Sequence, residues 1–421
     1  AGMTELLKTY FKRGTTMLHS YAFKNFHSFK ERTEVSFVLT QKAGAHGWDA
    51  VSPSGQRLAT ALAVIGANGA GKTSLIKPLA FLYWFAAQSF QRQPTAPIPV
   101  KPHFAAPDEP IEFELEADDE EGTLWRYVLR LTPERVLHEA VYRRANRKRA
   151  KFSYLFERDW NESANEYLIK RDDDFDFSPT EAKKVRPNAS LISTAAQYGV
   201  KIAQHLVSTN VTSNLMEVGR VDPRHGFHSA SVFFHENAAL KQQMETLLRD
   251  LDFGLSGVEI RKLDRTPPPE LNLPDGMTLA PQYQVLGVHT LGDGSRHELH
   301  MLEESSGTRT AFTQLASLLG ALATGGIAVI DELESDMHPH MIAPLLDLFA
   351  SPNTNPHKAQ IIFTSHSIEV ISLLGKSQVM LVEKNDCVSE AWRLDSMQGV
   401  RTQDNLYAKY MSGAYGAVPQ L

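Results

Sequence analysis

Residues 61–90 read ALAVI, GANGAGKTS and LIKPLAFLYWFAAQSF in succession. An apolar run, a glycine-rich loop and a helix-like stretch in that order predict strand, loop and helix. Within them Gly66, Ala67, Asn68, Gly69, Ala70, Gly71, Lys72 and Thr73 satisfy G-x-x-x-x-G-K-[ST]. In such a loop the glycines let backbone N–H groups close around phosphate oxygens and the helix N-terminus adds positive potential. The lysine reaches the β and γ phosphates, and the threonine hydroxyl meets Mg²⁺. These eight residues and Ser74 form the candidate nucleotide-binding set, with Lys72 also catalytic and Thr73 a metal ligand. The plain alternative is an ordinary strand-to-helix turn; the flanking strand and helix favour phosphate binding.

Upstream, residues 17–40 carry two alternating Phe-, Val- and Tyr-rich segments around a polar KNFHSFKER turn, which predicts a strand pair. Downstream, six prolines between Pro94 and Pro110 break regular structure, and strand-like segments follow at 111–117, 124–131 and 152–157, best fitted by antiparallel hairpins. Residues 189–215 and 238–251 show helical apolar spacing, and PPP at 267–269 breaks the chain again. From about residue 283, strand and helix signals alternate, with IAVID at 327–331, QIIFTSH at 360–366 and QVMLVEK at 378–384 as buried strands. The expected division is 17–90 and 291–421 as two parts of one α/β core, with 91–290 an inserted hairpin and helical lobe. No sustained heptads occur, so no long coiled coil is expected.

The 421 residues carry 43 Lys and Arg against 49 Asp and Glu, a net charge of −6 that offers no global attraction to nucleic acid or anionic membrane. No stretch approaches the roughly 18 uninterrupted apolar residues of a membrane span. No signal-peptide core is present, so the expected location is the cytoplasm, away from any membrane. A single cysteine, Cys387, excludes an internal disulfide and fits a reducing compartment. Ala1 and Gly2, ahead of Met3, read as a cloning remnant.

Ile327, Ala328, Val329 and Ile330 lead into Asp331 and Glu332, which places two carboxylates at a strand's carboxyl end, where α/β sheets bind ligands. Asp331 would hold Mg²⁺ through water, and Glu332 would orient or deprotonate the attacking water. An acidic cap on the next helix is the alternative. Ser306 and Gly307, in LEESSGTRTAF, open a predicted helix whose N–H and hydroxyl donors suit a γ-phosphate, or they are a simple Ser/Thr cap. His366 ends another buried strand and would sense the γ-phosphate, a structural histidine being the alternative.

GANGAGKTS, ESSGT, IAVIDELESDMHP and IIFTSH together resemble the ABC-type ATPase heads of RecF, Rad50-like and OLD-like proteins. The resemblance implies an α/β P-loop head with a mixed sheet, an antiparallel β lobe and a helical insertion, using ATP and Mg²⁺. It also implies a composite site. Residues 66–73, Asp331, Glu332 and His366 would lie on one side, and Ser306 with Gly307 would complete the partner copy's site, so that ATP drives a head-to-head dimer or a higher even oligomer. YAFKNFHSFKE, DELESDMHP, VMLVEKND and YMSGAYGAVP are similar, more narrowly, to the AAA-type ATPases of abortive-infection systems of the AbiLi or RloA kind. That likeness implies ATP hydrolysis in antiviral defence beside a separately encoded effector, often a nuclease or Toprim-like protein. The family's Q-loop glutamine is not placed among Gln88, Gln91 and Gln93, and Thr308 stands where transporter-type heads carry a second glycine.

Arg143, Arg144, Arg147, Lys148, Arg149 and Lys151 put six cations in nine residues of a predicted hairpin, suited to phosphates or an acidic partner such as DNA or a phage protein, or simply solvated. Asp172, Asp173, Asp174 and Asp176 read as a loop rather than a metal site, and the histidines lack an H-E-x-x-H pattern. Two readings stand beside the hydrolysing switch: a nucleotide-gated scaffold with little hydrolysis, and a RecF-like DNA-binding repair ATPase. A self-contained OLD-type nuclease does not fit the 55 residues after His366.

Overall fold

The computed structural model describes residues 16–40, 43, 47–216, 219–220, 223–263, 281–401 and 404–418. Ala1 and Gly2 and the PPP at 267–269 lie outside them. Two compact units emerge. The first comprises Ala1–Gly219, Ala321–Leu333 and Leu345–Leu421, and the second Arg220–Gly320 and Glu334–Pro344.

The first unit is built on a six-stranded sheet in the order Val211–Ser213, Ile327–Ile330, Gln360–Thr364, Ala61–Gly66, Val379–Asn385 and Val388–Arg393. The first five strands are parallel and the sixth returns antiparallel. Ile327–Ile330 and Gln360–Thr364 are buried at every position, which is why they read as continuous apolar runs. Parallel order carries their carboxyl ends, and that of Ala61–Gly66, to one edge of the sheet. Val211–Ser213 corrects the helical reading of 189–215: helices occupy only Leu191–Gln197 and Lys201–Leu206, and the segment after them pairs with Ile327–Ile330. A three-residue strand is too short to register as alternation.

The same unit holds a seven-stranded antiparallel sheet in the order Glu166–Arg171, Ser153–Asn161, Val136–Arg144, Leu124–Leu131, Ile111–Asp118, Met17–Lys24 and Thr33–Ser36. The expected N-terminal strand pair is present, with Tyr21 opposite Val35. It does not stand apart from the hairpins: Met17–Lys24 pairs along its length with Ile111–Asp118, so 91–219 completes a sheet begun at the N-terminus. The boundaries of the compact units accordingly fall at 219/220, 320/321, 333/334 and 344/345, and none falls at 90 or 290. Gln360, almost wholly buried, joins the two sheets, donating to the Leu18 and Ala59 carbonyls at 3.0 Å each and accepting from Leu18 N–H at 2.7 Å. The helix Lys72–Gln88 is tied to the antiparallel sheet through Tyr21, whose hydroxyl donates to the Leu75 carbonyl at 2.8 Å.

The second unit contains helices Pro223–Glu236 and Ala238–Asp250, an antiparallel sheet of Gly257–Leu263, Gln282–Thr290 and Arg296–His300, and most of the helix Ser306–Thr324. Residues 283–300 are thus an antiparallel hairpin here and no part of the parallel sheet. Among the described residues no helix is long and apolar enough to cross a membrane.

One buried ion pair pins the antiparallel sheet to its helical edge. Arg158 and Glu139 are fully buried, their charged atoms 3.4 Å apart. The guanidinium also donates to the Ala189, Val185 and Arg186 carbonyls and lies 3.9 Å over the Tyr167 ring. Glu139 accepts from Tyr127, Ser190 and Leu191. Removing one member of such a pair strands the other's charge, at a cost of about 3–5 kcal/mol. Arg158→Met is therefore expected to lower the urea midpoint markedly. Lys184→Met, which removes the exposed pair with Glu181, should leave it unchanged.

Candidate functional site

The phosphate-loop residues lie between the buried strand Ala61–Gly66 and the helix Lys72–Gln88, as the motif requires. Gly71 has φ +114°, and a Cβ there would sit 2.5 Å from Ser389 Oγ and 2.9 Å from Ser28 Oγ. Those serines brace the loop: Ser389 Oγ donates to the Ala70 carbonyl at 2.6 Å and meets Ser28 Oγ at 2.8 Å.

Lys72 is buried, its Nζ 2.8 Å from the Gly66 carbonyl, 3.2 Å from the Ala67 carbonyl and 3.4 Å from His366 Nδ1. An ammonium has no acceptor, so Nδ1 accepts and the ring proton sits on Nε2, facing Glu332 Oε1 at 3.4 Å. Lys72, His366 and Glu332 are thus linked through one imidazole.

Thr73 Oγ1 lies 3.0 Å from both carboxylate oxygens of Asp331, and Thr364 Oγ1 donates to Asp331 Oδ1 at 2.8 Å. Thr364 also accepts from Glu332 N–H at 2.7 Å. Glu332 has φ +52°, an unfavourable conformation for a residue with a side chain, and the Thr364 hydroxyl helps to hold it. Asn214 clamps the Asp331 backbone twice, accepting from its N–H at 2.7 Å and donating to its carbonyl at 2.8 Å. Neither carboxylate caps a helix, since turns follow and helical structure resumes only at Pro339–Met341. A hydroxyl and a carboxylate side by side form a hard-oxygen pair suited to Mg²⁺.

Gly71, Lys72, Thr73, Asp331, Glu332, Thr364 and His366 face a cleft of about 780 Å³. His27, Lys101 and Lys384 also line it. Burial, with help from the nearby charges of Lys77 and Lys101, pushes His27 down to about 4, so it is neutral at physiological pH and leaves the lysines to supply the positive charge. None of Gln88, Gln91 and Gln93 lines this cleft.

Ser306 and Gly307 belong to the second unit, at the start of Ser306–Thr324. Ser305 is the cap there, its Oγ accepting from Thr308 N–H at 3.1 Å, while Ser306 is exposed. A Cβ on Gly307 would lie 2.6 Å from the Asp336 carbonyl, so the segment after the acidic pair packs on this turn. Of the basic hairpin, Arg143 is spent on Asp172 and Asp174, and Arg144 stacks 5.0 Å from the Phe152 ring centre. Arg147, Lys148, Arg149 and Lys151 are exposed.

The family of AAA domains described as putative AbiEii toxin, type IV TA system, matches residues 62–372. The chain belongs to that family. No curated protein matches it. Among solved structures it is similar to an Smc head bound to the C-winged helix domain of ScpA, at 12% identity and TM-score 0.47 over 91% of this chain and 100% of that one. It is also similar to the SMC head domain from Thermotoga maritima, at 12% and 0.40 over 90% and 98%, and to the recombination mediator RecF, at 11% and 0.39 over 90% and 99%. The fold is α/β, with one mixed sheet and one large antiparallel sheet in the first unit.

Asn214, Thr364, Ser28 and Ser389 escaped the sequence reading; a hydroxyl inside the otherwise apolar IIFTS strand was the one available signal. Gly71→Ala combines left-handed strain with a collision against two braced serines. It is expected to weaken magnesium-ATP binding at least tenfold in a fluorescent-nucleotide titration, with the melting temperature lowered by a few degrees as the same strain is felt in the folded state.

Proposed function

We propose that this AAA-family chain is an ABC-type switch that hydrolyses ATP to ADP and phosphate, assembles through nucleotide and controls a separately encoded effector in antiviral defence. One observation carries the reading: Lys72, Thr73, Asp331, Glu332 and His366 converge on one cleft, with Glu332 partly exposed to it. Binding alone needs the first three; a half-exposed carboxylate held in a strained backbone beside them has a use in proton transfer.

The backbone N–H groups of residues 67–72 and the Lys72 ammonium would hold the phosphates, and Thr73 with Asp331 would hold Mg²⁺. When bound, the metal neutralises phosphate charge. Glu332 orients a water and accepts its proton, and Thr364 positions Glu332 through the backbone. His366 reports phosphate occupancy to Glu332 because it touches both Lys72 and that carboxylate. Ser306, exposed at its helix start, would meet the nucleotide of a second copy. The family's description as a putative toxin of a type IV toxin–antitoxin system supports a place in defence beside a second gene product, with a nuclease or Toprim-like protein as the proposed effector. The exposed Arg147, Lys148, Arg149 and Lys151 favour nucleic-acid contact as a second reading. Duplex binding that is salt-dependent and lost on reversing these charges would support it.

Phosphate release measures the central claim. Glu332→Gln is expected to slow release a hundredfold or more while keeping ATP affinity. Thr364→Val is expected to slow it tenfold or more, again with affinity nearly kept. In sedimentation, Glu332→Gln with ATP should accumulate dimers that Ser306→Arg abolishes. Equal release by wild type and Glu332→Gln would leave a scaffold and remove the hydrolase.

A further inference from the structure

The phosphate-binding cleft has a second wall that the chemistry above does not use. Phe104 lines it and is 70% exposed, although large apolar side chains elsewhere in this unit are mostly buried. A lone exposed phenylalanine is unremarkable on a mobile surface loop. This one is fixed. Its ring stacks on that of His103, with centroids 4.5 Å apart and an interplanar angle of 25°.

His103 is itself fully buried and held on three sides. Its N–H donates to Asn25 Oδ1 at 2.9 Å, its Nδ1 accepts from Ala105 N–H at 3.1 Å, and its Nε2 therefore carries the proton, 3.3 Å from the Cys387 carbonyl. Asn25, also fully buried, donates to the Ala106 and Glu109 carbonyls at 3.0 and 2.8 Å. His27 N–H donates to the Lys101 carbonyl at 2.9 Å, which binds the same loop to the turn bearing Ser28 and thus to the phosphate loop. The aromatic face is preorganised relative to the residues that would hold the phosphates.

We propose that Phe104 is the nucleobase platform of this site: the base of the bound nucleoside triphosphate stacks on the ring face turned away from His103. The proposal rests on the nucleotide reading of the phosphate loop and adds a means of selection to it. Stacking is insensitive to the pattern of donors and acceptors on the base edge, because every base has a π-face, and it grows with ring area. The platform therefore prefers purine over pyrimidine triphosphates and separates adenine from guanine poorly.

The test is calorimetric titration of the full chain, with magnesium, using ATP, GTP, CTP and inorganic tripolyphosphate. Wild type is expected to bind ATP and GTP within a few-fold of each other and CTP several-fold more weakly. Base–aromatic stacking of about 1–3 kcal/mol converts to a roughly 5- to 150-fold loss of ATP affinity in Phe104→Ala, with tripolyphosphate affinity unchanged and the purine preference gone. Phe104→Trp should retain ATP affinity. Unchanged ATP binding by Phe104→Ala overturns the platform while leaving the phosphate site standing. Equal losses of ATP and tripolyphosphate overturn it too, since they mark a structural residue. A wild type that binds neither ligand removes the phosphate reading, and the platform falls with it.

Discussion

Asp331 is where the first unit becomes a site. Its carboxylate is shared by two hydroxyls, Thr73 at the start of the phosphate-loop helix and Thr364 at the end of the adjacent strand, while Asn214 holds its backbone from the sheet's edge. These four residues lie far apart in sequence and meet because they close or follow four parallel strands that end at one edge. A buried carboxylate without such partners would cost several kcal/mol, so the sheet order and the polar cluster stabilise each other. The strain at Glu332 is tolerable for the same reason: Thr364 serves both neighbours with one hydroxyl.

The antiparallel sheet gives this edge its second boundary. Met17–Lys24 ends in a turn where Asn25 and His27 both take left-handed conformations, which lets successive residues face different partners. Asn25 holds the 103–110 loop, and Ser28 meets Ser389 under the phosphate loop. One short turn thus fixes the spacing between the phosphate-loop side of the cleft and the opposite wall, and it can do so because its strand lies inside a seven-stranded sheet instead of forming a loose hairpin.

The division between what the sequence reveals and what it hides follows that geometry. Gly66 to Thr73, Asp331 and His366 are legible because each sits in a local pattern: a glycine loop after an apolar run, or a polar residue closing one. Asn214, Thr364, Ser28 and Ser389 have no such pattern, and their roles exist only once strand order is known. Phe104 lies among the prolines at 94–110, a stretch that reads as broken chain and nothing more. The boundary at 90 misleads for a related reason. Hairpins between 111 and 171 carry the right alternation, but alternation does not say that their first strand pairs with one ninety residues earlier.

Charge completes the physical picture. The chain is acidic overall, yet Lys72, Lys101 and Lys384 line one cleft, and His27 between them stays neutral because burial and the neighbouring ammonium groups oppose its protonation. Three lysines gathered in one cleft of an acidic chain favour a polyanion there, with Asp331 and Glu332 on the same lining. Its orientation then depends on what each wall can accept. The loop offers N–H donors and an ammonium, which suit phosphate oxygens and do nothing for an aromatic ring. Phe104 offers a π-face, which suits a base and repels an anion. Since His366 touches both Lys72 and Glu332, an anion that engaged the ammonium would also alter what the carboxylate senses.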